Sequence, residues 1–371
     1  MKFNASSSEL SKKLSLATIA ISTKSIMPIL EDVLLELEGD VLTISATNIE
    51  TSIVLKMEVT GHEDGKVALS ARILLDTLRT LPDQPVTIEL IEDKIIQITS
   101  SFGKYKLAAD EPDDFPEIDF SSDDESVSIE SYILKEAIEK TVTATGEQGA
   151  VRDSMTGVLV QFDFNKANFV ATDSHRMVKA TYNKVNFDTI KSFILPQKGL
   201  NLLKNALSDD EEEVKIQWND KSAFFEFGTT KIITTLINDD FPNYNAVIPV
   251  NNENVLYINR KDLVNSLRRL MIFADKSFYL VTFNLSEDSL TLATEDPEFS
   301  HDATEQLPCK YTGENLTMGF SSKYFIELLN LLDDDEVEIS FSNPKVPALI
   351  KGVEERDDLD LLLLIMPLII K

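Results

Sequence analysis

Asp173, Ser174 and His175 stand side by side and are the residue types of a nucleophilic triad, so acyl transfer is the first chemistry to weigh. Their adjacency argues against it. Triad members come from separated positions and meet through folding, with the serine on a strained G-x-S-x-G turn, and the sequence has no such turn. Metal chemistry fares no better: His62, His175 and His301 are isolated, and H-E-x-x-H, C-x-x-C and EF-hand spacings are missing. Acidic pairs such as Asp113-Asp114 are of a type that holds magnesium, yet charged loops are far more often simply hydrated. Without a G-x-x-x-x-G-K-[ST] run the chain is not expected to hydrolyse ATP. The expectation is a protein with no catalytic residue, metal or cofactor. A hydrolase or nuclease using acidic loops for metal is the alternative, and a protein scaffold that does not touch DNA is a third reading.

The informative charges are basic ones. The chain carries a formal −28 with 43% apolar residues, which describes a folded acidic protein and not a disordered tail. Six stretches with helical periodicity reverse that balance. They hold Lys12, Lys13, Arg72, Arg79, Lys135, Lys140, Lys198, Lys204, Arg260, Lys261, Arg268, Arg269 and Lys323 against Glu9, Asp76, Glu136, Glu139, Asp262 and Glu327. Their surplus of seven positive charges leaves −35 for the remainder. Lysines on any one helix serve solubility; the same bias on six makes the helical face the part of this molecule that a polyanion tolerates. An ordinary nucleic-acid binder is basic overall, so any hold on DNA here has to be weak or enforced by topology.

The elements that position these groups recur. Ala-Thr plus a polar residue ends a strand-like run at Thr47, Thr172 and Thr294, at separations of 125 and 122. A bulky apolar residue followed by proline closes each unit at Phe115-Pro116, Phe241-Pro242 and Met366-Pro367, separated by 126 and 125. That period exceeds the roughly 20–50 residues of solenoid repeats and fits the roughly 100–150 of single domains. Each copy reads as helix, strands, second helix, strands. Ser6-x-x-Glu9 resembles a capping box before Leu10, Leu14 and Ala17; a second helix starts near Ser70 and buries Leu74, Leu75 and Leu78 before Leu81-Pro82. The later helices are expected over 131–145, 197–207, 259–271 and 321–332.

Alternating runs at 41–45, 86–90, 214–218 and 337–341 read as strands, with turns at Glu38-Gly39-Asp40, Glu92-Asp93-Lys94, Asn219-Asp220 and Ser286-Glu287-Asp288. The acidic clusters 209–213 and 333–336 read as solvated loops. The fold class that follows is α+β, mainly antiparallel, with helices on one sheet face. The domains expected are 1–122, 123–248 and 249–371. Cys309 is the single cysteine, the N-terminus lacks a signal-peptide core, and the longest apolar run, 359–370, is broken by Asp360 and Pro367 and is shorter than the ~20 residues of a membrane span. A cytoplasmic protein is expected.

Three such copies, each with two basic helices, resemble the bacterial β sliding clamp family, the processivity subunits of replicative DNA polymerase. The motifs that carry the resemblance are Met27-Pro28-Ile29-Leu30, Ala171-Thr172-Asp173-Ser174-His175-Arg176-Met177, Asp239-Asp240-Phe241-Pro242-Asn243-Tyr244 and Ile365-Met366-Pro367-Leu368, and it spans residues 1 to 371. The resemblance implies a head-to-tail homodimer closed into a ring around double-stranded DNA, helices lining the hole and antiparallel sheets outside, associated with the nucleoid during replication. The thirteen basic residues would face DNA without reading sequence, and Lys24 and Gln148 match further DNA-facing positions.

The resemblance also implies a pocket for peptides of the polymerase, clamp loader and repair proteins. Its matching positions are Met155, Thr172, Ser174, His175, Arg176, Met177, Pro242, Val247, Phe278, Ser321, Tyr324, Leu364, Ile365, Met366, Pro367 and Leu368. Methionines and aromatics would adapt to apolar anchors while His175 and Arg176 fix the peptide backbone. The dimer seam would set Lys104, Tyr105 and Leu107 against Ile272, Phe273 and Glu305. Departures from the family pattern are Ala246 in place of a basic residue, Ile369 in place of arginine, Ser174 in place of glycine, and the poorly matching Lys345-Val346-Pro347.

Overall fold

The computed structural model describes residues 1–21, 27–92, 94–122, 125–210 and 212–370. Lys24, Asp93 of one expected turn and Glu211 of one acidic cluster lie outside the described residues. The first copy comprises β1 (Lys2–Ser6), α1 (Ser7–Ala20), β2 (Asp32–Glu38), β3 (Val41–Thr47), β4 (Thr51–Glu58), β5 (Thr60–Glu63), β6 (Gly65–Ser70), α2 (Ala71–Arg79), β7 (Pro85–Glu92), β8 (Ile95–Thr99) and β9 (Lys104–Asp110). The second comprises β10 (Ser126–Glu130), α3 (Ser131–Thr141), β11 (Gly157–Asp163), β12 (Lys166–Thr172), β13 (Arg176–Tyr182), β14 (Lys191–Pro196), α4 (Gln197–Ala206), β15 (Glu213–Trp218), β16 (Ser222–Phe227) and β17 (Thr230–Thr235). The third comprises β18 (Asn254–Asn259), α5 (Arg260–Phe273), β19 (Leu280–Ser286), β20 (Ser289–Asp296), β21 (His301–Pro308), β22 (Lys310–Thr312), β23 (Leu316–Ser321), α6 (Ser322–Leu329), β24 (Glu336–Phe341), β25 (Ala348–Gly352) and β26 (Leu359–Ile365). Apart from the short β5 and β22, the three element orders are identical.

One expectation is corrected: each copy opens with a strand, not a helix. β1, β10 and β18 are five or six residues long and pair with β7, β15 and β24, the strands that follow the second helix. Their alternation is too short to stand out beside the helical stripe that follows, and their pairing partners are distant in sequence. Helix ends shift as well. α3 stops at Thr141 and continues as a 3-10 turn, α6 stops at Leu329 where Asn330 caps it, and α5 runs to Phe273. Ser6, Ser70 and Asn259 cap α1, α2 and α5 by accepting from the amides of Glu9, Ile73 and Asp262.

The chain divides into two compact units, Met1–Glu136 with Leu195–Leu236, and Ala137–Ile194 with Ile237–Lys371. In the first, thirteen strands form one sheet, in which β17 of the second copy pairs antiparallel with β4 of the first. Leu10, Leu14 and Ala17 of α1 are fully buried, where α1 packs on α2, α4, β3 and β4. Each such leucine contributes about 1.5–3 kcal/mol. In the second unit, a nine-stranded sheet pairs β26 with β13, and β21-β20-β19-β23 form a four-stranded sheet. There Phe283, Phe320 and Phe325 interlock with ring centroids 4.9–5.4 Å apart beneath α6.

Candidate functional site

In the second unit, β12 ends at Thr172 and the chain reverses in a tight turn before β13. Asp173 Oδ1 accepts from the amides of His175 and Arg176, both at 2.9 Å, and Thr172 Oγ1 donates to the Arg176 carbonyl at 2.7 Å. Ser174 sits at φ 73°, the left-handed region that glycine fills without strain. Ser174 Oγ meets Met155 Sδ at 3.5 Å and not the imidazole, so the three triad-like residues build a turn and not a nucleophile.

The turn presents His175, whose ring stacks on Tyr324 of α6 at 5.9 Å. The His175 carbonyl accepts from the Met366 amide at 2.8 Å, and the Leu368 amide donates to the Gly319 carbonyl at 2.7 Å. The segment after β26 is thereby held between the turn and β23. Met177 pairs with Leu364, and both are buried with Leu159, Val170 and Ile194 beneath half-buried Phe241, Tyr244, Leu362 and Met366. Pro242 and Val247 flank Tyr244 in the covering segment, with Val247 48% exposed. Phe278, 65% exposed, stands on a turn whose next residue, Tyr279, accepts from the Ser322 amide at the start of α6, beside Ser321. Met155, Thr172, Ser174, His175, Arg176, Met177, Ser321, Tyr324 and residues 364–368 are thus brought together; Pro242, Val247 and Phe278 lie on the two segments beside them.

Arg176, expected to fix a peptide backbone, is tied into the protein. It is 6% exposed, with Nε on Asp173 at 3.1 Å, one terminal nitrogen on Glu327 and the other on the Thr143 carbonyl at 2.6 Å, and its guanidinium lies 4.5 Å over Tyr324. Three of the five N–H groups of the fork are engaged in this way, which ties Arg176 into the wall of the site. Burial pushes the Tyr324 hydroxyl above its ordinary pKa, with Asp173 adding to the effect. Glu327 of α6 joins the site through Arg176, and its i, i+3 relation to Tyr324 is the sequence signal for that place. Phe241 and Tyr244 stand in a quoted motif in which only Pro242 was assigned a role; their rings meet at 6.4 Å, and Tyr244 donates to Gln161 at 2.8 Å.

The same turn recurs in the first unit with other chemistry. Thr47 Oγ1 accepts from the Ile49 amide, Ile49 has φ 79°, and the Thr235 amide donates to the Glu50 carbonyl at 2.8 Å, as Met366 does to His175. Register puts Thr51 in the place of Arg176, Ser52 in that of Met177 and Thr235 in that of Met366. The apolar floor and the pinned arginine therefore occur at one of the two junctions.

All thirteen basic residues fall on the six helices, but they are not equally free. In the first unit Lys12, Arg72 and Arg79 are exposed, Arg72 lying 3.8 Å from Asp76; Lys13, Lys198 and Lys204 are half-buried, and Lys135 is paired with Asp209 at 2.8 Å. Burial lowers the Lys198 pKa. In the second unit Gln148, Arg268 and Lys323 are exposed. Lys140 is 13% exposed and donates to the Leu331 carbonyl and Asp333; Lys261 pairs with Asp335 at 2.7 Å, and Arg260 donates to the Asp334 carbonyl. The acidic loops are therefore not merely solvated: Asp209, Asp333 and Asp335 stay exposed while each meets a helix lysine. Arg269 and Glu305, assigned to DNA and to the seam, form one ion pair at 2.6 Å, with Ser266 also on Glu305. Among the described residues no three His, Cys, Asp or Glu side chains are placed to hold a metal, and no helix is long and apolar enough to cross a membrane.

Models of the DNA polymerase III beta subunit match nearly all of the chain in succession: its N-terminal domain over residues 1–119, its central domain over 128–243 and its C-terminal domain over 245–368. The beta sliding clamp of Vibrio cholerae is 30% identical over 369 residues, covering 99% of this chain and all of that one. The chain belongs to the bacterial β sliding clamp family. Its fold matches a Pseudomonas aeruginosa DnaN sliding clamp solved with griselimycin, with a TM-score of 0.93, 25% identity and full coverage of both chains. A Thermotoga maritima DNA polymerase III beta subunit shares the fold at a TM-score of 0.92 and 23% identity. The three copies are three tandem clamp domains, and the protein is a DNA sliding clamp, partner to DNA and polymerase and without catalytic activity of its own.

Proposed function

We propose that two copies of this clamp, each with domains at 1–122, 123–248 and 249–371, close head to tail into a ring around duplex DNA and hold partner proteins by short peptides. One observation supports ring closure above all. β4 and β13 occupy the same place in successive copies, and each pairs with the last strand of the next copy, β17 or β26. Among the described residues, the third strand of that kind, β21, pairs only with β20, and the remaining last strand, β9, has residues 104–107 unpaired on one side. Each free edge fits the other by repeat symmetry, and joining them between two chains removes both. Lys104, Tyr105 and Leu107 lie on one edge; Glu305 lies on the other, with Ile272 and Phe273 exposed on the last turn of the adjoining α5.

Ring closure supplies retention, and the helix cations supply a sequence-independent attraction that leaves DNA free to slide. The site around Met155, Met177, Tyr324 and Met366 accepts the apolar anchors of polymerase, clamp-loader and repair-protein peptides. Cytoplasmic placement at the nucleoid follows from that work. Light scattering tests the ring: the prediction is twice the 41.6 kDa chain mass, and a monomer at micromolar concentration contradicts it.

A further inference from the structure

β9 is fastened to its sheet unevenly. Residues 104–108 pair with β8 alone, and only Ala109 and Asp110 reach β6, opposite Leu69 and Ala68. Asp32, the first residue of β2, lies opposite Ser70 of that same β6. Direct opposition and the two-residue alternation of strands put Asp32, Leu34, Ala68, Ser70 and Asp110 on one face. Leu34 and Ala68 are covered there by Phe115, with Ile29 and Ile118 beside them, so the segment after β9 folds back across this face.

Asp32 is 5% exposed, and its Oδ2 has no hydrogen-bond partner in the protein. Its side chain is hydrogen-bonded to the Asp110 carboxyl. Two carboxyl groups make that bond only when one of them carries a proton. The charges acting on Asp32 come from Asp110 on β9 and Glu31 on the preceding turn, both negative. Lys94, the cation near Asp110, is held by Glu111 at 2.8 Å. Burial, then the bond to Asp110 and its charge, pushes Asp32 up to about 7 from 3.8.

We propose that a proton retained on buried Asp32 bridges it to Asp110 and forms a pH-operated latch that holds the end of β9, and residues 111–118 after it, on the sheet. With the proton present, one carboxyl O–H donates to the other carboxyl. Without it, two carboxylates face each other beside Glu31 under apolar cover, and the end of β9 loosens. The folded chain retains a proton that the unfolded chain loses from 3.8 upward, so this contribution is complete at low pH, falls as pH rises towards about 7, and is gone above it. On the ring reading β9 carries one side of the seam, so the latch would link seam strength to pH. The test does not depend on that reading.

Asp32→Asn replaces the titrating acid with a neutral side chain of the same shape. Thermal unfolding of the full chain and its variant at pH 5, 6, 7 and 8 should give midpoints that differ little at pH 5 and separate in favour of the variant towards pH 8. Amide exchange at residues 109–115, corrected for the intrinsic rate, should lose protection in the natural chain by about tenfold between pH 6 and 8, and stay level in the variant. Asp110→Asn removes the bond and the charge but leaves Asp32 buried, so it should make the same profile shallower, which keeps the test open if the first variant does not fold. A midpoint gap that is constant from pH 5 to 8, or a loosening as steep in either variant as in the natural chain, overturns the latch.

Discussion

Ile49 shows how one residue type can be wrong locally yet kept by its surroundings. It is β-branched, 64% exposed and at φ 79°, in a turn whose other hydrogen bonds match those around Ser174. The left-handed region costs such a residue about 1–2 kcal/mol, and little burial is lost by replacing it. Ile49→Asn should therefore raise unfolding stability by about 1 kcal/mol in denaturant titration, because asparagine tolerates that region; a lower midpoint would count against the strain. At the partner site, Met366→Ala with Pro367→Ala should abolish binding of a polymerase C-terminal peptide by fluorescence polarisation while light scattering still reports the assembled protein. Unchanged affinity refutes the pocket. Arg176 marks the limit of what was legible at this scale. Its motif located the site, but that its guanidinium faces inward depends on Thr143 and Glu327, 33 and 151 positions away, and no local pattern carries that.

At the scale of elements, the six helices described were legible because their apolar residues repeat at helical spacing, and their cations lie within the observed bounds. The opening strands were not, because β1 in isolation is only Lys-Phe-Asn-Ala-Ser and gains its stability from β7. The extra two residues of α5 matter, since they place Ile272 at 67% and Phe273 at 40% exposure beside β21. Exposed apolar groups next to a free strand edge are stabilising only when covered. Ile272→Ala with Phe273→Ala should convert the proposed dimer to monomer, since each truncation at a buried contact costs about 2–5 kcal/mol. A dimeric mass by light scattering at nanomolar concentration would rule out this seam.

For the whole molecule, the threefold duplication was plain from two markers in step near 125 residues. How the copies join was not, because the joining pairs, such as Thr51 with Thr234, are 183 positions apart and consist of backbone bonds that any residue can make. Several helix cations are already answered by Asp209, Asp333, Asp335 and Glu305, so the attraction left for phosphates is modest, and on the proposed ring reading topology does the holding. The decisive measurement is retention on a nicked circular duplex after loading with clamp loader and ATP. The protein should survive a high-salt wash on the closed circle and be lost when the circle is cut to a linear form. Equal retention on both forms, or none on the circle, would contradict encirclement.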